Sequence, residues 1–410
     1  MTAPLHLFEA TGVELEYMIV DRTSLEVKPV CDALMQAAAG EPVSDVDRGP
    51  LSWSNELALH VVELKTNGPA ATLDGLAAHF HAQTREIDGL LEPLGARLMP
   101  GAMHPWMDPH TQTRLWPHEN GPIYQAYDRI FDCRGHGWSN VQSTHINLPF
   151  ANDDEFGRLH AAIRLVLPIL PALAASSPFV DGRPTGLLDN RLDFYRNNER
   201  RLPAVPGRII PEQVFTEAEY FEQVYRRIDA EIAVHDPGSV LNHNFLNSRG
   251  AIARFDRGAI EIRLLDIQEC PHADLAIVGL VIALVRDLVE ERTSSSADQR
   301  RATIDALAPI LDACIRDADT AVVADADYLR LLGLPPAPIA AGKVWRLVAE
   351  RLDGVPAECG PALGTLLAHG TLARRMLRAV PAQPGRADLA ALQARLCDCL
   401  VAGTPFAPEA

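Results

Sequence analysis

Short stretches in which apolar and polar positions alternate with a period of two are separated, along most of the chain, by longer ones whose apolar residues recur every three to four positions. Residues 12–20 (GVELEYMIV) predict a strand whose alternation puts Glu14 and Glu16 on one face. Residues 56–66 (ELALHVVELKT) predict a second strand, with Glu63 and Lys65 in line with Leu57, Leu59 and Val61. Glu56 has the opposite parity. Either a bulge re-aims it or it sits at the strand end, because residues seven apart on a regular strand face opposite ways. A short strand is expected within 96–104. Another within 141–150 (VQSTHINLPF) carries His145 and Asn147 on one face. Residues 259–266 (AIEIRLLD), entered through a turn at Arg257 and Gly258, carry Glu261 and Arg263 on one face.

Helical spacing covers 72–94, with Thr72 as N-cap and Gly95 as terminator, then 156–175, 217–234 and 272–291. Residues 104–137, rich in Pro, His and aromatic side chains, read as a long ordered loop over a site, followed by a short helix. Residues 291–299 (ERTSSSADQ) read as a linker, beyond which Ala, Leu and Arg recur with helical spacing. The expected organisation is a domain over 1–290 with a helical C-terminal region, 291–410, packed on it.

A chain of 410 residues, 47% hydrophobic and 22% charged, can bury a large core and excludes wholesale disorder. Its formal charge of -17 disfavours nucleic acid as the main partner. The same charge is compatible with nucleotides that arrive with magnesium. The three lysines, Lys28, Lys65 and Lys343, leave nearly all positive charge to arginine. Seven scattered cysteines without a CxxC pair fit structural thiols in a reducing compartment. No signal-peptide pattern and no run of about 18 apolar residues is present, so a cytoplasmic protein with no membrane partner is expected.

Polar pairs two residues apart on three strands are a costly pattern, since a buried carboxylate without a counter-charge costs several kcal/mol. A lone ELE is usually the wet face of an antiparallel sheet, but recurrence on three strands favours a metal site. Five carboxylates (Glu14, Glu16, Glu56, Glu63 and Glu261) with the imidazole of His145 suit Mg²⁺ or Mn²⁺ better than zinc. His104, Asp108 and His110 have no standard ligand spacing. The chain has no GxxxxGK[ST] loop, no strand-GxGxxG-helix fingerprint and no GxSxG elbow.

In their order, GVELEYMIV, ELALHVVELKT, STHINLP, SSPFVDGRPTGLLDNR and GAIEIRLLD resemble the second glutamate-cysteine ligase family, in particular its bacterial carboxylate-amine ligase branch, over about residues 8–290. That resemblance implies an α+β fold like glutamine synthetase and the guanido kinases, a curved antiparallel sheet forming a funnel with helices outside. By it, Glu14, Glu16, Glu56, Glu63, His145 and Glu261 match magnesium ligands. It further implies ATP-dependent conversion of the γ-carboxylate of glutamate to an acyl phosphate, which the amine of cysteine displaces. Arg263 is then the candidate for stabilising the transferring phosphoryl group. Arg191, after the TG turn, is a candidate for a substrate or phosphate contact or a structural salt bridge. Lys65 is a candidate nucleotide-phosphate contact or a solvated strand end. His104 stands in an HPW segment similar to the branch's Thr-His-Pro element, with Met103 in place of the threonine. The alternatives are the same ligase with another amine acceptor, a non-catalytic metal or nucleotide sensor, and a guanidine phosphotransferase.

Overall fold

The computed structural model describes residues 4–407. Eight strands build one antiparallel sheet: β1 (Gly12–Asp21), β2 (Asp45–Arg48), β3 (Leu51–Asn55), β4 (Val61–Thr66), β5 (Ala96–Met99), β6 (Ser143–Pro149), β7 (Ala251–Arg254) and β8 (Ala259–Asp266). Their order is β2-β3-β4-β1-β6-β8-β7, and β5 pairs with the second half of β1. Met18 pairs with Val61 of β4 on one edge of β1 and with Met99 of β5 on the other, so β5 and β6 share an edge of β1 end to end.

Period-two alternation sorts the sheet into two faces. Val13, Leu15, Tyr17 and Ile19 of β1 are fully buried in the main core with Val62, Leu64, Ile146, Ile260 and Ile262. Six helices frame the sheet and the cleft: α1 (Cys31–Ala39), α2 (Leu76–Leu91), α3 (Gly121–Phe131), α4 (Asp153–Val166), α5 (Pro271–Val289) and α6 (Arg386–Ala402). Asn152 caps α4 by accepting from the Glu155 amide, and Asp153, Asp154 and Glu155 complement its positive end. α5 is apolar nearly all round and is buried accordingly, packed on α2 and α4. No helix among the described residues is long and apolar enough to cross a membrane.

Several expected boundaries move. The strand expected over 56–66 is only Val61–Thr66, and Glu56 lies in the connection from β3, outside either strand. The helix expected from Thr72 starts at Leu76 after Gly75, whose positive φ breaks the path, and the Thr72 hydroxyl instead accepts from the Asp74 amide at 3.1 Å. The stretch 156–175 is α4, a tight turn at Leu167–Ile169 and the single turn Pro171–Ala174, because Pro168 and Pro171 each lack a helical donor. Within 217–234 a wider-wound turn, Phe221–Tyr225, interrupts the helix. The turn expected at Arg257 and Gly258 is present, with Gly258 at φ 63° joining β7 to β8.

Residues 291–299 join the two regions through a short turn, Ser296–Gln299, where the buried Gln299 amide donates to the carbonyls of Leu288 and Ser294. The C-terminal helices extend the main core through Val344, Trp345 and Leu366, and α6 packs on α2 and β5. A buried ion pair, Glu269 with Arg375 at 2.5 Å, takes both the amide and the carbonyl of Phe406.

Candidate active site

The polar face of the sheet floors a cavity of about 1370 Å³, walled by α3 and by the segments around residues 191–199 and 245–248. Register places the side chains: Glu14 lies across from His145 on one side and Lys65 on the other, Glu16 across from Glu63, and Glu261 across from Asn147. Glu56 comes to the same floor from the corner after β3.

Glu14, Glu63 and His145 each bring one ligand atom within 4.8 Å of the others, and so do Glu16, Glu56 and Glu63. Glu63 belongs to both groups. Glu261 Oε1 adjoins the first at 3.8 Å from His145 Nδ1. The structure thus brings all six expected ligands to one floor. Glu14 bonds His145 Nδ1 and the Asn147 amide, each at 2.9 Å. Ser143 donates its amide and its hydroxyl to Glu16 Oε2 at 2.7 and 2.9 Å. Because that hydroxyl spends its proton on Glu16, His145 Nε2, 2.9 Å away, is the donor to Ser143 Oγ. His145 thereby donates from both nitrogens and would have to give up one of these protons to ligate a metal.

The electrostatics follow from this crowding. Burial works against charge on Glu14, yet the His145 hydrogen bond and charge, with Arg263, bring its carboxyl down to about 2. Burial also opposes the His145 proton, and the bond to Glu14 with the charges of Glu16 and Glu261 still raises it. Burial and then Glu14 push Glu63 up to about 7, against Lys65. Burial, Glu63 and Glu16 hold Glu56 well above the usual carboxylate range. Carboxyls that repel one another toward protonation, in a set of hard oxygen donors with one imidazole, fit a divalent cation of the magnesium or manganese type.

Arg263 stands at the edge of this floor. Its Nε and Nη2 donate to Glu261 Oε1 at 3.0 and 2.5 Å, and its Nη1 to the Tyr195 hydroxyl at 3.3 Å. Burial opposes its charge, but Glu261 and Tyr195 keep it firmly protonated. Arg191 is buried: its Nη2 donates to the Arg263 carbonyl at 2.8 Å, and its Nη1 pairs with Asp266 at 3.4 Å. This geometry makes it a support for Arg263. Lys65 is held by the Ser54 hydroxyl at 2.7 Å and by Asp45 and Glu63, each at 3.2 Å.

Sequence reasoning missed Tyr195 and Glu199, and held Tyr124 and Tyr127 only within the segment expected over the site; all four line the cavity from outside the sheet. No periodicity marks them. His104 is not in the cleft: its Nε2 faces the Leu25 carbonyl at 2.8 Å, and burial drives its imidazole down to about 4. Among the described residues it forms no metal-type group with Asp108 and His110.

A sheet face carrying carboxylates beside an arginine thus floors a deep cleft in an α+β protein. Its fold is that of a glutamate-cysteine ligase from Francisella tularensis crystallised with AMP, matched with a TM-score of 0.57 over 95% of this chain and 88% of that one. The identity there is 11%, a likeness of fold. The model of glutamate-cysteine ligase family 2 matches residues 10–324. An uncharacterized protein of Archaeoglobus fulgidus is 34% identical over 284 residues, 68% of this chain and 75% of the relative. A glutamate-cysteine ligase of Natronomonas pharaonis is 25% identical over 300 residues, 72% of this chain and 74% of the relative. The chain belongs to glutamate-cysteine ligase family 2.

Proposed function

We propose that this chain is a cytoplasmic, ATP- and magnesium-dependent carboxylate-amine ligase that joins the γ-carboxylate of glutamate to the amine of cysteine, with residues 1–290 carrying the reaction. The observation that supports it is the meeting of Glu14, Glu16, Glu56, Glu63, His145 and Glu261 with Arg263 on one floor. These six side chains would hold the magnesium, which when bound offsets phosphate charge and aligns the donor carboxylate. Arg263, oriented by Glu261 and Tyr195, presents a planar cation to the phosphoryl oxygens. Lys65 reaches the same phosphates from β4. Arg191 fixes the strand position of Arg263. In the first step a carboxylate oxygen attacks the γ-phosphorus and ADP leaves. In the second the neutral amine nitrogen attacks the acyl carbon, phosphate leaves, and the nitrogen gives up a proton as the amide forms. The walls of the cleft shield the acyl phosphate from water between the two.

The test is ADP release by the purified protein with Mg²⁺, ATP and glutamate across a panel of amines that includes cysteine, with mass spectrometry of the products and Glu261→Ala as control. A γ-glutamyl amide of cysteine, absent in the control, is the expected product. Preference for another amine keeps the ligase and changes the acceptor, and no amide with any amine overturns the reading.

A further inference from the structure

We propose that Glu199, with Tyr127 and Tyr195 beside it, is the subsite that receives the ammonium group of the acceptor amine. The word acceptor rests on the ligase reading above; the subsite itself rests on geometry. Glu199 lines the cavity, yet it is only 3% exposed, and its Oε2 has no hydrogen-bond partner among the described residues. The Ser248 hydroxyl lies beside it and acts on it as a hydrogen-bond donor, though no bond of normal geometry forms between them. A buried carboxyl left in this condition is costly. Burial pushes Glu199 up to about 8, and Ser248 and Arg263 only partly offset this, so an arriving ammonium group has to draw the carboxyl into its charged form.

Its surroundings suit a cation. Tyr127 and Trp138 meet edge to face with ring centroids 5.4 Å apart, and Tyr127 and Tyr195 both feel the charge of Glu199. A carboxylate beside aromatic rings is the recognition chemistry of an ammonium group. Arg263 does not fill this role, since its bonds go to Glu261 and to the Tyr195 hydroxyl.

The position favours the acceptor over the donor. Arg263 turns Nε and Nη2 toward Glu261 and the carboxylate floor, and Nη1 toward Tyr195, which also feels the charge of Glu199. The donor carboxylate must lie on the floor side, where the phosphoryl group is transferred. An ammonium group held by Glu199 passes a proton to that carboxylate, and the neutral nitrogen then attacks the acyl carbon.

The experiment uses full-length protein with Mg²⁺ and ADP, wild type against Glu199→Gln, with calorimetric binding of ethylamine, L-2-aminobutyrate and L-cysteine. Losing a charge-assisted bond weakens binding ~10- to 100-fold, and that loss is the expected result. A wild type that binds none of the three, or a variant that binds them equally well, overturns the subsite. Steady-state assays should put the change on the amine KM and leave the ATP and glutamate KM within twofold; a change confined to the glutamate KM also overturns it. The ligase reading is read separately, by hydroxylamine trapping of the acyl phosphate in the wild type. Absence of hydroxamate together with Glu199-dependent amine binding overturns the ligase reading and supports the subsite.

Discussion

Replacing Arg191 with Met separates a supporting arginine from one that touches phosphate. Arg191 and Asp266 are 2% and 1% exposed and meet at 3.4 Å. At an effective dielectric constant of about 20 that separation corresponds to about 5 kcal/mol of attraction, most of it spent on desolvation. Burial already raises Asp266, with Arg191 pulling it back, and the buried Asp189 carries the repulsion of Asp266 as well. Arg191→Met leaves both carboxyls without their cation, and the expected loss of unfolding free energy in urea at neutral pH is about 3–5 kcal/mol. The double variant Arg191→Met, Asp266→Asn removes the orphaned charge and should recover about 1–3 kcal/mol of coupling. With Arg191 acting only by holding the Arg263 carbonyl, the double variant keeps the wild-type ATP KM and the loss falls on kcat. A raised ATP KM that persists in the double variant identifies a phosphate contact. A single variant within about 1 kcal/mol of wild type, or no coupling with Asp266, refutes the reasoning.

Two other outcomes are expected. His160 is buried with Nδ1 donating to the Val214 carbonyl at 2.8 Å, and burial, then Arg164, drives its imidazole down to about 3. The unfolded chain holds this proton from about pH 6.5, so stability is present above that pH and falls as pH drops toward the folded value. His160→Gln should flatten the stability curve between pH 6 and pH 4 by ~1.4 kcal/mol per pH unit relative to wild type, and parallel urea-derived curves would count against this. Glu63 belongs to both carboxylate groups, so Mg²⁺ is expected to raise the melting temperature over EDTA and Glu63→Gln to erase that rise. For each site at 100 times its Kd that rise reflects ~2.7 kcal/mol, and a full-sized shift in the variant would argue against a shared ligand.

The candidate ligand residues legible in the sequence are those whose placement is a matter of parity. Glu14, Glu16, Glu63, His145 and Glu261 occupy strand positions where period two alone decides the face. Glu56 was not placed by that rule, because LALH looks like strand while its backbone is engaged elsewhere: the Leu59 carbonyl accepts from Cys31 and the His60 carbonyl from Ile19. Glu199, Tyr195 and Tyr127 reach the cleft only through tertiary packing, which leaves no local signature. The start of α2 was missed for a related reason: the Thr72 hydroxyl engages Asp74 while Gly75 turns the chain before the first helical residue.

Arg263 shows where parity meets its limit in this sheet. Between the pairs Ile262 with Ile146 and Leu265 with Thr144, β8 has one residue more than β6, so Arg263 sits in a bulge without a regular ladder partner. Its amide donates instead to the Gly250 carbonyl at 3.0 Å, and its carbonyl accepts from Arg191. Gly250 permits this approach because a Cβ there would lie 2.6 Å from Leu264 Cδ1. The backbone at Arg263 is therefore held by partners outside the β6 ladder, while Glu261, two residues earlier, remains in register opposite Asn147. The bulge lets the carboxylate stay on the floor and the guanidinium turn between Glu261 and Tyr195.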